Sequence, residues 1–115
     1  MPGLSVLIPV FNRDVRPLVH ALRAQAAQWP GAVEICCLDD GSMPAVRQHN
    51  QELAQVAGVK YQELGRNIGR AAIRNQLAQQ ARHEWLLLLD NDSVLPDAQF
   101  LARYAAAHTR AAVLV

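Results

Sequence analysis

The sequence has few of the features that mark specialised protein classes. Cysteine occurs twice, as the adjacent pair Cys36 and Cys37. Two residues cannot build a disulfide framework. Neighbours on a strand point to opposite faces, so the two are badly placed to bridge each other and read as small core residues. Lys60 is the only lysine among the 11 basic residues, which excludes chemistry that needs several lysines. Against 10 acidic residues the net charge is +1 with the four histidines neutral. That excludes the basic surplus of a nucleic-acid binder and leaves no acidic tail. No apolar run approaches the ~18–20 residues of a membrane span. The start, Met1-Pro2-Gly3-Leu4, lacks the basic region that opens a secretory signal. A reducing cytoplasmic setting is expected, or the inner face of a membrane for a longer form. The histidines at 20, 49, 83 and 108 show no metal-ligand spacing, and no serine or cysteine sits in a nucleophile motif.

A core is what the sequence does have. Of 115 residues, 51% are hydrophobic and 18% charged, the balance of one folded domain. Short apolar runs occur at 4–10 (LSVLIPV), 33–38 (VEICCL), 59–64 (VKYQEL), 85–89 (WLLLL) and 111–115 (AAVLV). Runs this short and apolar suit strands buried on both faces. Helical stripes lie between them. Leu18, Leu22 and Ala26 are bracketed by Pro17 and Pro30-Gly31. Val46, Leu53 and Val56 share a face that Gly58 stops. Ile73, Leu77 and Ala81 follow Gly69. Phe100, Leu101, Tyr104, Ala105 and His108 follow Pro96-Asp97. The alternation predicts an α/β three-layer sandwich with a mostly parallel, Rossmann-like sheet.

In such sheets ligands gather at the carboxyl ends of the strands. Four of the six aspartates fall at two of these ends, in Asp39-Asp40-Gly41-Ser42 and Asp90-Asn91-Asp92. Two carboxylates that close repel unless a cation sits near them. Hard oxygen ligands suit Mg²⁺ or Mn²⁺, which take one or two carboxylates plus substrate phosphates. The plainer alternative is a pair of turns with capping aspartates. Gly41 permits a sharp turn, and Ser42 is placed to cap a helix that begins near Pro44. Asp97 reads as another helix cap. Arg70 and Arg74 lie one helical turn apart, which suits an anion such as diphosphate, but Arg70 by itself reads as part of a solvated face. A dinucleotide fold would carry G-x-G-x-x-G after the first strand, where PVFNRD stands, and no P-loop is present. A phosphoacceptor receiver domain would place its acidic pair after the first strand.

IPVFN at 8–12, DDGS at 39–42, NIGRAAIRN at 67–75 and LLDND at 88–92 appear in order. Together they resemble the N-terminal half of the family-two inverting glycosyltransferases of GT-A fold. Ile73, Leu77 and Ser93 depart from the usual alanine, glycine and acidic residue. The resemblance implies transfer of a sugar from a nucleoside-diphosphate sugar, most often a UDP-sugar, to an acceptor hydroxyl with inversion. It implies a divalent cation, Mn²⁺ or Mg²⁺. It further implies that Pro9, Val10 and Asn12 pass the nucleoside, and that Asp40, with Asp39 beside it, accepts a hydrogen bond from the nucleobase. Arg74 would lie near the nucleotide and its phosphates. Asp90 would face the ribose or metal-bound water, and Asp92 would ligate the cation.

Residues 1–115 would then be the nucleotide-sugar-binding part of a catalytic domain, truncated at the C-terminus and inactive alone. The general base is expected beyond Val115. The acceptor, a saccharide or lipid-linked saccharide, is left open, and no nucleic-acid partner is expected. A truncated sheet exposes an edge and apolar surface, so a homo-oligomer is expected. Two readings compete. A non-catalytic α/β binding or assembly module would lack a metal response. A nucleotidyltransferase would carry a basic glycine-rich loop after the first strand.

Overall fold

A computed structural model describes residues 2–107 and 113–114. The strands are β1 (Leu4–Val10), β2 (Val33–Asp39), β3 (Val59–Glu63), β4 (Trp85–Leu88) and β5 (Val113–Leu114). The helices are α1 (Arg16–Gln25), α2 (Pro44–Asn50), α3 (Arg70–Gln80) and α4 (Phe100–Ala107). The strands form one sheet in the order β3-β2-β1-β4-β5, and every pairing among the described residues is parallel. The expected α/β alternation is therefore present. His108, Ala111, Ala112 and Val115, assigned above to the last helix and strand, lie outside the described residues.

Side-chain alternation divides the core in two. Leu4, Val6, Ile8 and Val10 of β1 join Ile35, Cys37 and Leu87 on one face, beneath Leu18, Val19 and Leu22 of α1 and Leu101 of α4. Leu7, Cys36 and Leu38 form the other face against Ile73 and Leu77 of α3. These are the three layers. Cys36 and Cys37 belong to opposite faces, both free and buried. Burial pushes each thiol up to about 12, so neither is a reactive thiolate. β3 is an edge strand, which explains its polar sequence: Lys60 and Gln62 point outward and are exposed.

The second helix departs from its expected form. A single stripe through Val56 predicted one helix, but α2 ends at Asn50 and a 3₁₀ turn covers Gln51–Gln55. Asn50 and Leu53 are the fully buried residues here, three apart, the spacing that a 3₁₀ turn aligns. Asn50 is a polar anchor. Its Oδ1 accepts the Val15 N–H at 3.0 Å and its Nδ2 donates to the Arg13 carbonyl at 2.8 Å.

Two other buried polar residues tie elements together. Gln25 donates to the Asp97 carbonyl and accepts the Leu101 N–H, both at 2.9 Å, and so docks the start of α4 on α1. Glu34 lies at the amino end of the sheet. Its Oε2 accepts the Ser5 hydroxyl and the Arg82 N–H, both at 2.6 Å, and Lys60 lies 3.3 Å from Oε1.

Burial alone would raise the Glu34 carboxyl, but Ser5, the Arg82 amide and Lys60 outweigh it and hold it below its ordinary value. The folded value lies below the unfolded one. Glu34 therefore adds stability above the unfolded pKa, roughly pH 4.3, and that stability is lost as pH falls through the folded value. Urea unfolding at pH 7 should find Glu34→Gln less stable by about 1–3 kcal/mol. The same titration carried down to pH 3 should show a flatter acid limb for the variant than for wild type.

Candidate functional site

β1 has β2 on one side and β4 on the other, so the chain leaves it in one direction and returns on the opposite side. The loops diverge at that switch point and open a crevice at the carboxyl ends. A cleft of ≈ 290 Å³ lies there. Pro9, Val10 and Phe11 line it from the end of β1, and Asp40 from the end of β2. Asn67, Gly69, Arg70 and Ile73 come from the start of α3. Asp90, Asn91 and Asp92 follow β4.

The turn after β2 is built from its own carboxylates. Asp39 is fully buried. Its Oδ1 accepts the Gly41 and Ser42 N–H groups at 3.0 and 2.8 Å, closing the turn. Asp40 reaches across to the loop before α3. Its Oδ1 accepts the Ile68 N–H at 2.6 Å, and its Oδ2 accepts the Gly69 N–H and Asn67 Nδ2, each at 3.2 Å. The loops touch so closely that a Cβ on Gly41 would come within 2.7 Å of Arg66 and Asn67 backbone atoms. Gly41 also has φ +84°, so glycine is needed twice over.

The loop after β1 is tied to the same turn. Asn12, with φ +51°, donates its backbone N–H to Ser42 Oγ at 2.8 Å. Asn12 Oδ1 accepts the Met43 N–H, also at 2.8 Å. This corrects the capping role expected of Ser42. The cap position of α2 is Met43, and no side chain of its own caps the helix. The hydroxyl serves the neighbouring loop instead, and Asn12 supplies the acceptor from across the sheet. Asp97 does act locally at a helix start: it accepts the Gln99 N–H and pairs with Arg103, both at 2.8 Å.

After β4, Asn91 Nδ2 donates to the Phe11 carbonyl at 3.3 Å, joining the two walls of the cleft. Asp90 Oδ1 accepts Arg74 Nη2 at 3.0 Å. Of the residues singled out in the sequence, Pro9, Val10, Asp40, Asp90 and Asp92 line one cleft. Asn12 Oδ1 and Asp39 Oδ1 serve turns behind it, while Asp39 Oδ2 is buried without a hydrogen-bond partner among the described residues. Arg74 reaches Asp90 without lining the cleft.

The whole described fold and this strand-end geometry now meet a sequence match. Residues 5–115 match the family described as glycosyl transferase family 2. The chain belongs to that family. An N-acetylglucosaminyltransferase from Rhizobium leguminosarum bv. phaseoli is 28% identical over 98 residues, which make up 83% of this chain and 23% of that protein. S. aureus TarS 1-349 has a TM-score of 0.71 at 24% identity, over 90% of this chain and 31% of that one. TarS is also known in complex with UDP-GlcNAc. The mannosyltransferase PcManGT from Pyrobaculum calidifontis, in complex with GDP-Man and Mn²⁺, has a TM-score of 0.68 at 20% identity, over 88% and 30%. TarS and PcManGT share the α/β fold. The chain spans about a quarter of the length of the curated relatives it matches.

Three lining residues of this family-2 cleft, Phe11, Asn67 and Gly69, carry no assigned role in the sequence, and Arg70, offered there for an anion or a solvated face, lines the cleft. Phe11 is an exposed aromatic at the tip of β1, Asn67 and Gly69 shape the start of α3, and Arg70 is the guanidinium that faces the cleft. Each lies inside one of the four motifs, and that was the available signal. No group of three or more His, Cys, Asp or Glu residues that could hold a metal occurs among the described residues. Asp90 and Asp92 still fit a divalent cation of the Mg²⁺ or Mn²⁺ kind. Two hard carboxylates on an open cleft are what such an ion takes when phosphates complete its shell.

Asp40→Ala should release the loop before α3. Hydrogen exchange followed by NMR should show faster exchange of the Ile68 and Gly69 amides, by about 1–3 kcal/mol in local stability. Amides in β1 should be little affected.

Proposed function

We propose that this chain is the donor-binding part of a metal-dependent, inverting glycosyltransferase that uses a UDP-sugar. The observation that carries this reading is the single cleft shared by Asp40, Arg70, Asp90 and Asp92 at the switch point of the sheet. Family membership supports it, as do the N-acetylglucosaminyltransferase relative and the nucleotide sugars bound by TarS and PcManGT.

In this reading the nucleoside lies along Pro9 and Val10. A carboxylate offers about four acceptor positions, and protein donors take three of them on Asp40. One position on Oδ1 is left for an N–H of the base. The diphosphate lies toward Arg70 and the positive end of α3, with Asp90 and Asp92 holding the cation. When bound, the cation would neutralise charge that grows on the diphosphate. The acceptor oxygen forms a bond to the anomeric carbon as the bond to the diphosphate oxygen breaks. The electron pair leaves with the nucleoside diphosphate, and the acceptor proton goes to a general base. We assign that base, and the saccharide or lipid-linked acceptor, to sequence other than residues 1–115.

Calorimetry with UDP tests the reading. Binding should be tighter with Mn²⁺ than without, and Asp92→Ala should lose the metal-dependent part. Metal-independent behaviour of wild type would count against the proposal. Steady sugar transfer by residues 1–115 alone would overturn the assignment of the base elsewhere.

A further inference from the structure

We infer that Arg74 is a positioning residue that acts on the donor site through Asp90 and does not touch the nucleotide. The inference rests on the reading of Asp90 and Asp92 as the carboxylates that meet the cation. It separates Arg74 from Arg70, which the helical spacing alone would group together.

The geometry points this way on three grounds. First, Arg70 lines the cleft and Arg74 does not. Arg74 lines a second hollow of ≈ 360 Å³, with Asn75 and Ala78 of α3 and with Leu86 and Leu88 of the sheet. Asp90 lines both. Asp90 is thus shared by the two hollows, and Arg74 meets it from the second one. Second, Arg74 Nε is buried and has no hydrogen-bond partner among the described residues. Among the described residues the side-chain hydrogen bond of the guanidinium goes to Asp90. Third, its Nη2 uses only Oδ1 of Asp90, at 3.0 Å. No described protein group hydrogen-bonds Asp90 Oδ2.

The pair adds little to stability, because both side chains are about half-exposed, at 41% and 53%. Its effect is on direction: a charge-assisted hydrogen bond to one oxygen fixes how the carboxylate is presented. Partners that orient a metal ligand typically change metal affinity by about 10–100-fold when removed.

The test is calorimetry of UDP with and without Mn²⁺ for wild type, Arg74→Ala, Arg74→Lys, Asp90→Asn and the double variant Arg74→Ala/Asp90→Asn. Arg74→Ala should weaken Mn²⁺-dependent UDP binding by about 10–100-fold and leave metal-free UDP binding and the melting temperature unchanged. Arg74→Lys should restore part of the loss, since an ammonium can still reach one oxygen. In the Asp90→Asn background, Arg74→Ala should add no further loss. An equal loss with and without metal, or the same loss in both backgrounds, would show a direct contact with the nucleotide and overturn the inference. Where Asp90→Asn alone abolishes detectable binding, the metal-free comparison and the Lys rescue decide. A wild type without any Mn²⁺ response sinks the donor-site reading itself. Ligand-free NMR then judges the pairing separately. The Arg74 Nη protons, which make the contact, should exchange more slowly in wild type than in Asp90→Asn, and equal rates would refute it.

Discussion

The site depends on one buried carboxylate. Asp40 leaves the end of β2 and binds the amides of Ile68 and Gly69, with the Asn67 side chain beside them. Charge-assisted hydrogen bonds to backbone N–H groups are the strong kind, and here they join two loops that are far apart in sequence. The approach is so tight that only glycine fits at position 41. Gly69 then turns the chain with φ +93° into α3. The clamp therefore sets where α3 begins, and with it the positions of Arg70 and Arg74. Remove it, and the cleft loses one of its walls.

The rest of the fold divides its work between the two ends of the sheet. At the amino end, Glu34, Ser5, Lys60 and the Arg82 amide form a polar network beneath the start of β1, in which Glu34 Oε2 is hydrogen-bonded and Oε1 has the Lys60 ion pair. Its role is to hold strands and the α3–β4 connection together. At the carboxyl end, acidic and basic side chains remain partly solvated around the cleft. Asp90 is half-exposed, Phe11 is exposed and Arg70 is exposed. A central strand buried everywhere but at Pro9 makes this arrangement possible: β1 pairs along its length with β2 and over four residues with β4. The core is rigid where the loops must be held, and the loops are polar where a ligand must be met.

The division of labour among the arginines and aspartates follows from that scaffold. Asp39 and Asp40 are neighbours in sequence but do different things. One closes its own turn, and the other bridges to a second loop. Arg70 and Arg74 lie on one helix but look into different hollows. Asn12 carries a left-handed backbone because its side chain and its N–H both serve the turn after β2. The motifs identify these residues as a group, while their separate tasks come from which neighbour each one meets.

The alternation of apolar runs and helical stripes was enough to read the α/β fold, because burial on two faces leaves a strong local pattern. Even the polar third run was legible as a strand, and its polarity fits its edge position. The four strand-end motifs were enough to indicate the family, since residue type and spacing are properties of the chain itself. Other features were decided only in three dimensions. The break after Asn50, the docking of α4 by Gln25, the use of Ser42 by Asn12 and the partner of Arg74 all involve groups many residues apart. A hydrogen bond of that kind has no local signature, because its second partner is supplied by folding and not by sequence neighbours.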